Sequence, residues 1–251
     1  MPTGKRPTAR PARSVSEVLP RIGFRPEYLD FDRGIHVGNL EEHERITRIL
    51  KLALEARHGE PFVTERWGRG VYWQWIGYLA RANRAAKPVS SDVSFGCSKF
   101  FLSVDSEERQ FQCGMQVERG FREAPSSQRQ FRLREDWDWH RLLEALKPRG
   151  AMQGEIARLL REGFHIHAGA WGAEGNRFSR ANLPSLAALR RRLDSAPASQ
   201  WAGFQLFYPL AEAEVRSATG TELVESMLAV FREVTAAMNV CSQTHLREVG
   251  G

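Results

Sequence analysis

Cysteine is scarce in this chain, and the few thiols are spaced so as to exclude more than they suggest. Cys97, Cys113 and Cys241 are odd in number and form no Cys-x-x-Cys pair. Neither a disulfide framework nor a zinc knuckle is indicated, and a reducing cytoplasm fits best. Long apolar runs are missing too. Nothing approaches the ~18 residues of a membrane span, and the opening residues carry Pro and Arg without the apolar centre of a signal peptide. The sequence therefore reads as a soluble, unexported, cytoplasmic protein with no membrane partner. Lysine is rare beside arginine, which most simply reflects a GC-rich bacterial genome, although arginine is also the better fork for phosphate and carboxylate.

Catalytic signatures are likewise lacking. No Gly-x-Ser-x-Gly elbow occurs, neither Cys97 nor Cys113 has a nucleophile's local sequence, and the glycine-rich stretch from Gly169 to Gly175 lacks the Lys-Ser/Thr ending of a P-loop. A nuclease pattern of the Asp…Glu-x-Lys type, tried on Asp105 and Glu118, fails because Gly120 stands where the lysine belongs. Positive charge is short outside one stretch. The formal charge is +6, yet Lys5, Arg6, Arg10 and Arg13 lie in the first thirteen residues with no acid among them, leaving about +2 for the rest. With Pro2, Pro7 and Pro11, residues 1 to 13 read as a disordered basic tail able to touch nucleic acid or an acidic protein. Residues 14 to 251 read as a single domain.

What is present centres on Ser94 to Phe121. Phe100, Leu102 and Val104, then Phe111, Cys113, Met115 and Val117, alternate with other residues at the period of a strand with one buried face. The polar turn between Asp105 and Gln110 sets Val104 opposite Phe111, Leu102 opposite Cys113 and Phe100 opposite Met115. A slip by one residue would bring glutamines to those positions. On the other face this register puts Phe101 over Gly114, Lys99 opposite Gln116 and Cys97 opposite Glu118, so Cys97 and Cys113 cannot bridge.

Around this hairpin, Ser14 to Leu19 is expected to form a helical turn, and Phe24, Tyr28, Leu29 and Phe31 to anchor an irregular segment. Asn39 with Glu42 resembles a capping box opening a helix that stops near Gly59. Pro61 to Trp67 and Val71 to Ala80 form a second hairpin about Gly68-Arg69-Gly70, with Tyr72, Gln74, Ile76 and Tyr78 sharing a face. A polar connection runs from Ala82 to Ser91, and a mobile loop covers 122 to 130. Helices follow at Trp139 to Leu146 and Met152 to Leu160, then a strand at Phe164 to Ala170. A helix opened by Pro184 runs to Asp194, and a strand from Gly203 to Tyr208 is closed by Pro209. Thr219 and Glu222 cap a final amphipathic helix carrying Leu223, Met227, Val230, Phe231, Val234 and Met238. The pattern predicts an α+β fold: a mostly antiparallel sheet of about six strands, helices packed on it and the last helix across it.

Two constellations stand out. Tyr72, Gln74, Tyr78, Lys99, Phe101, Gln112 and Gln116 are expected to gather around a groove on the second sheet face, suited to a small planar ligand or single-stranded nucleic acid. The plain alternative is a helix lying on that face and turning the aromatics into core. His165-Ile166-His167 presents two imidazoles on one side of a strand, as a divalent metal would require, with Asp136, Asp138 and His140 as sources of a third ligand. The leading expectation is a binding domain without chemistry or cofactor of its own. The alternatives are a metal-dependent hydrolase centred on His165 and His167, and a structural or regulatory subunit acting through protein contacts.

Overall fold

The computed structural model describes residues 21–87, 96–173 and 175–249. The basic tail, the expected turn at 14–19 and the last part of the 82–91 connection lie outside them. Nine strands form one antiparallel sheet: β1 (Leu29–Asp30), β2 (Gly34–His36), β3 (Phe62–Arg69), β4 (Tyr72–Ala80), β5 (Lys99–Asp105), β6 (Gln110–Gly120), β7 (His165–Ala170), β8 (Arg177–Phe178) and β9 (Ala202–Ala211). Their order is β1-β2-β4-β5-β6-β9-β7-β8, with β3 on the far edge of β4. The helices are α1 (Ile46–His58), α2 (Arg81–Ala85), α3 (Asp138–Ala145), α4 (Met152–Arg161), α5 (Leu186–Asp194), α6 (Glu212–Ser217) and α7 (Gly220–Cys241). The class is α+β, as the alternation of strand and helix patterns predicts, with more strands than expected. The surplus is β1, β2 and β8, whose two or three residues are too short to show a period. No helix among the described residues is long and apolar enough to cross a membrane.

The central hairpin has the predicted register, with Phe100, Leu102 and Val104 paired to Met115, Cys113 and Phe111. Its apolar face meets α7. Phe231 stacks on Phe100 with ring centroids 4.7 Å apart, and the Cys113 thiol points to the Met227 carbonyl at 3.7 Å. Leu142, Ile156, Leu189 and Val215, from α3, α4, α5 and α6, join the same cluster. Each fully buried aliphatic or aromatic side chain there contributes about 1.5–3 kcal/mol. Thr219 caps α7 through the reciprocal bonds with Glu222 that its sequence predicts.

Several boundaries differ from the sequence reading. Helix α1 begins at Ile46, because Asn39 sits in a left-handed conformation (φ 55°) outside any helix, while Gly59 ends the helix left-handed as expected. In α5 the cap is Ser185, which accepts from the Ala188 amide, so Pro184 lies just outside the helix. Pro209 does not close β9 but stands within it opposite Gln112. The β7 partner ends at Phe207, so the missing amide at Pro209 costs no ladder bond on that side. The simple alternation of β4 also fails. Trp67 pairs with Trp75 but Gly68 pairs with Trp73, leaving Gln74 as an extra residue. This bulge reverses the parity of the strand.

Candidate functional site

The second face of the sheet carries a polar row running across five strands. Register alone aligns it: Lys99 of β5 pairs with Gln116 of β6, Gln116 with Gln205 of β9, Gln205 with His167 of β7, and His167 with Arg177 of β8. Paired residues point to the same side of a sheet, so amides, an imidazole and two cations line up. Every helix that buries an apolar side chain does so in the cluster on the opposite face.

Two indoles frame the row. Trp75 lies flat over Gly77, where a Cβ would stand only 2.4 Å from its Cη2. Its Nε1–H donates to Gln116 Oε1 at 3.0 Å. Trp171, from the glycine-rich loop, lies over Gly203, where a Cβ would come within 2.7 Å of its Cζ2. It stacks on His167 with centroids 4.4 Å apart and planes 15° from parallel. Both rings are half-buried. The two glycines thus make room for rings to lie on the sheet, and any side chain in their place would push the indoles away.

Between the indoles the hydrogen-bond accounting is incomplete. Gln116 Oε1 accepts from Trp75 and also from Gln205 Nε2, at 2.7 Å. The hydrogen bonds of the two amides among the described residues use Gln116 Oε1 and Gln205 Nε2, not Gln116 Nε2 or Gln205 Oε1, and only the Nδ1 of His167 is both buried and without a partner here. A buried polar atom without a partner is uncommon, since leaving it unsatisfied costs about 1–3 kcal/mol. His167 is 8% exposed. Burial, reinforced by the Arg177 charge, lowers its pKa to about 4, so the imidazole is neutral at neutral pH. His165, at the edge of the same face, is shifted down for the same two reasons, and its ring meets Phe207 edge-on.

The expected groove residues divide into two groups. Lys99, Phe101, Gln112 and Gln116 do share the face with His165 and His167, but they form its floor. Phe101 is fully buried, Gln112 and Gln116 nearly so, and Gln112 is engaged with Ser103 and Asp105. Lys99 is held between Glu65 at 2.7 Å and Glu118 at 3.1 Å. Burial alone would lower its pKa, but the two carboxylates outweigh burial and raise it. Tyr78 is a correction. It shares the core face with Ile76 and Phe100, is fully buried against Phe231, and donates its hydroxyl to the Ile46 carbonyl at 3.2 Å. Gln74 is the bulged residue and Tyr72 lies beyond it, outside the row. Tyr72 stacks on His36 under the Arg33 guanidinium, and Gln74 bonds the Arg33 carbonyl.

Two of the sources of a third metal ligand are engaged elsewhere, whereas both carboxylate oxygens of Asp136 are buried without a partner. Asp138 is fully buried, pairs with Lys87 and accepts from Asn83 and the Ser98 amide, while His140 meets the Arg134 carbonyl. Among the described residues no three His, Cys, Asp or Glu side chains gather as a metal centre needs. Gln205, Trp75, Trp171 and Arg177 were not singled out from the sequence. Gln205 was accessible through the alternation Gly203, Gln205, Phe207; Trp171 was not, because nothing in a glycine-rich loop says where its ring will settle. No protein-family model matches the chain, and no curated protein matches it.

Proposed function

We propose that this protein is a binding module whose sheet face holds a small planar ligand, or the base of a single strand, beside Trp75 and Trp171. The reading rests on one observation: two indoles laid on glycines flank neighbouring amide and imidazole groups whose hydrogen-bonding capacity is unspent. Gln116 Nε2 supplies donors, while Gln205 Oε1 and, in one tautomer, His167 Nδ1 supply acceptors. A flat ring with a donor–acceptor edge meets both requirements, stacking on an indole and pairing with the amides. The groups lie within one sheet, where their spacing is fixed by the strand ladder instead of by a loop. Their neutrality favours an uncharged edge, because Lys99 is already balanced by Glu65 and Glu118.

The test is a titration of tryptophan fluorescence with purine and pyrimidine nucleosides and a short oligothymidylate, on the wild type and on Trp171→Ala and Gln205→Leu. Saturable quenching by at least one probe, weakened by about 1–3 kcal/mol in Trp171→Ala for a lost stacking partner, is the expected outcome. No response to any probe, or equal affinity in all three proteins, refutes it.

A further inference from the structure

Beyond the end of β6 the chain turns through 121–134 and lines a cleft of about 750 Å³ with Arg122, Arg129, Arg132 and Arg134, alongside Glu123 and Leu133. Its size is that of a small-molecule site. Arg122 is paired with Asp194. The guanidinium groups of Arg129, Arg132 and Arg134 have no hydrogen-bond or carboxylate partner among the described residues, and all three are exposed. Elsewhere Arg33, Arg109, Arg158, Arg177 and Arg216 each hold at least one carboxylate.

The backbone that leads into the cleft is fixed. Arg119 is fully buried without a carboxylate. Its guanidinium donates to the carbonyls of Ala196, Pro197 and Gln200, each at 2.6 Å, and to that of Gly120 at 3.2 Å. Burial, and next the charge of Arg122, lower its pKa to about 10. The amides of Arg122 and Glu123 both donate to Ala198, and Phe131 packs on Trp201 with centroids 5.2 Å apart. Four arginines thus line one cleft, and an anion with several oxygens suits such a concentration of positive charge. Guanidinium forks match phosphate oxygens in pairs, which a single chloride or carboxylate cannot exploit across three arginines.

We infer that this arginine cleft is a second binding site, separate from the sheet face, and that it takes consecutive phosphate groups. These are supplied either by a free polyphosphate or by a phosphodiester chain. Arg129, Arg132 and Arg134 contact the oxygens, while Arg119 acts as a positioning residue that ties the end of β6 to the 196–200 segment.

The experiment uses the full chain, so that the basic tail is constant, and compares the wild type with R129Q/R132Q/R134Q. A control with the same loss of charge, R69Q/R161Q/R180Q, removes exposed arginines elsewhere. Binding of inorganic tripolyphosphate by calorimetry, and of a labelled oligothymidylate of about 12 nucleotides by anisotropy, is measured from ~50 to ~200 mM salt. The cleft variant should lose at least about tenfold in affinity with an unchanged melting temperature, and the control should change less than about twofold. The slope of log affinity for the oligonucleotide against log salt should fall by about 2, at roughly 0.7 for each of three phosphate contacts on a single strand. Tighter wild-type binding of the oligonucleotide than of tripolyphosphate assigns the phosphodiester source, and the reverse assigns the free one. Equal losses in both variants, or no tripolyphosphate binding by the wild type below about 1 mM at the lowest salt, overturn the inference. The tripolyphosphate arm does not bear on the sheet face, because that probe has no base to stack or pair there, and the nucleosides that test the sheet face carry no phosphate.

Discussion

Replacing Lys99 by methionine tests the electrostatic half of the polar face. The lysine side chain is 1% exposed, while Glu65 and Glu118 are 22% and 14% exposed. Methionine fills the space of the stem, so little cavity penalty confuses the result. What remains is two carboxylates, mostly out of water, facing each other without their cation. Breaking a buried pair from one side costs ~3–5 kcal/mol. Because the carboxylates retain some solvent, we place Lys99→Met at the lower end, about 3 kcal/mol. In the wild type the raised pKa of Lys99 contributes stability that is fully present below the ordinary lysine range. It is lost only as pH rises through the raised value. While both carboxylates are ionised, that contribution is therefore constant through neutral pH up to about pH 9. In the variant, acidification protonates a carboxylate and removes the repulsion, so the deficit should shrink toward pH 4. Urea melts followed by tryptophan fluorescence at pH 4, 5.5 and 7.5 measure both trends. A loss below about 1 kcal/mol at pH 7.5, or a deficit that grows on acidification, would refute the reasoning. Adding Glu65→Gln and Glu118→Gln should recover much of the loss, because it removes the stranded charges.

Three further outcomes are expected. Tyr78→Ala should cost ~3–5 kcal/mol in thermal or urea melts, since it empties a packed site, and Tyr78→Phe about 1 kcal/mol for the hydroxyl bond, whereas Tyr72→Ala should cost far less; similar losses at both tyrosines would contradict the bulge. His167 binds its proton less readily folded, at a pKa of about 4, than unfolded. The stability of the neutral form is thus present above about 6.5 and drains as pH falls toward 4, by up to about 3 kcal/mol, and His167→Asn should flatten this slope in pH-dependent denaturation. Cys97, Cys113 and Cys241 are buried and free, and burial lifts Cys97 to about 11. An aromatic disulfide reagent should find almost no thiol in the native protein and all three after denaturation without reductant; fewer than three on unfolding would mean a bond among them.

The central hairpin was legible because its apolar residues and its turn length impose the same register, and a mismatch would have shown as glutamines facing the core. The α7 cap was legible for a similar reason, since Thr219 and Glu222 interact within one turn. Tyr78 was misplaced because parity was counted through Gln74, and a bulge is set by how two strands pair, which one strand's residues do not reveal. Lys99, Gln112 and Gln116 were assigned to the correct face by parity. Their near-complete burial was not foreseen, because parity tells which face a side chain takes and not what packs beside it: Lys99 meets Glu65, and Gln116 meets Trp75 and Gln205, all from other strands. The arginine cleft was hidden too. Arg122 and Arg129 lie in the stretch 122 to 130 that was read as a mobile loop, and Arg132 and Arg134 lie just beyond it, where no sequence pattern showed that they would share a cleft.

The sequence separation between the central hairpin and α7 sets a clock on synthesis. Cys113 and the Met227 carbonyl it meets are 114 residues apart in sequence. At about 5–20 residues per second, a ribosome needs roughly 6 to 23 s to make that interval. Throughout it the hairpin can already pair its backbone, while Phe100, Leu102 and Met115 have no α7 to cover them. The nascent protein therefore carries an uncovered greasy sheet for seconds, long enough for holding factors to bind. Its yield in the cell should respond to translation speed between the hairpin and the last helix more than to the stability of the finished fold.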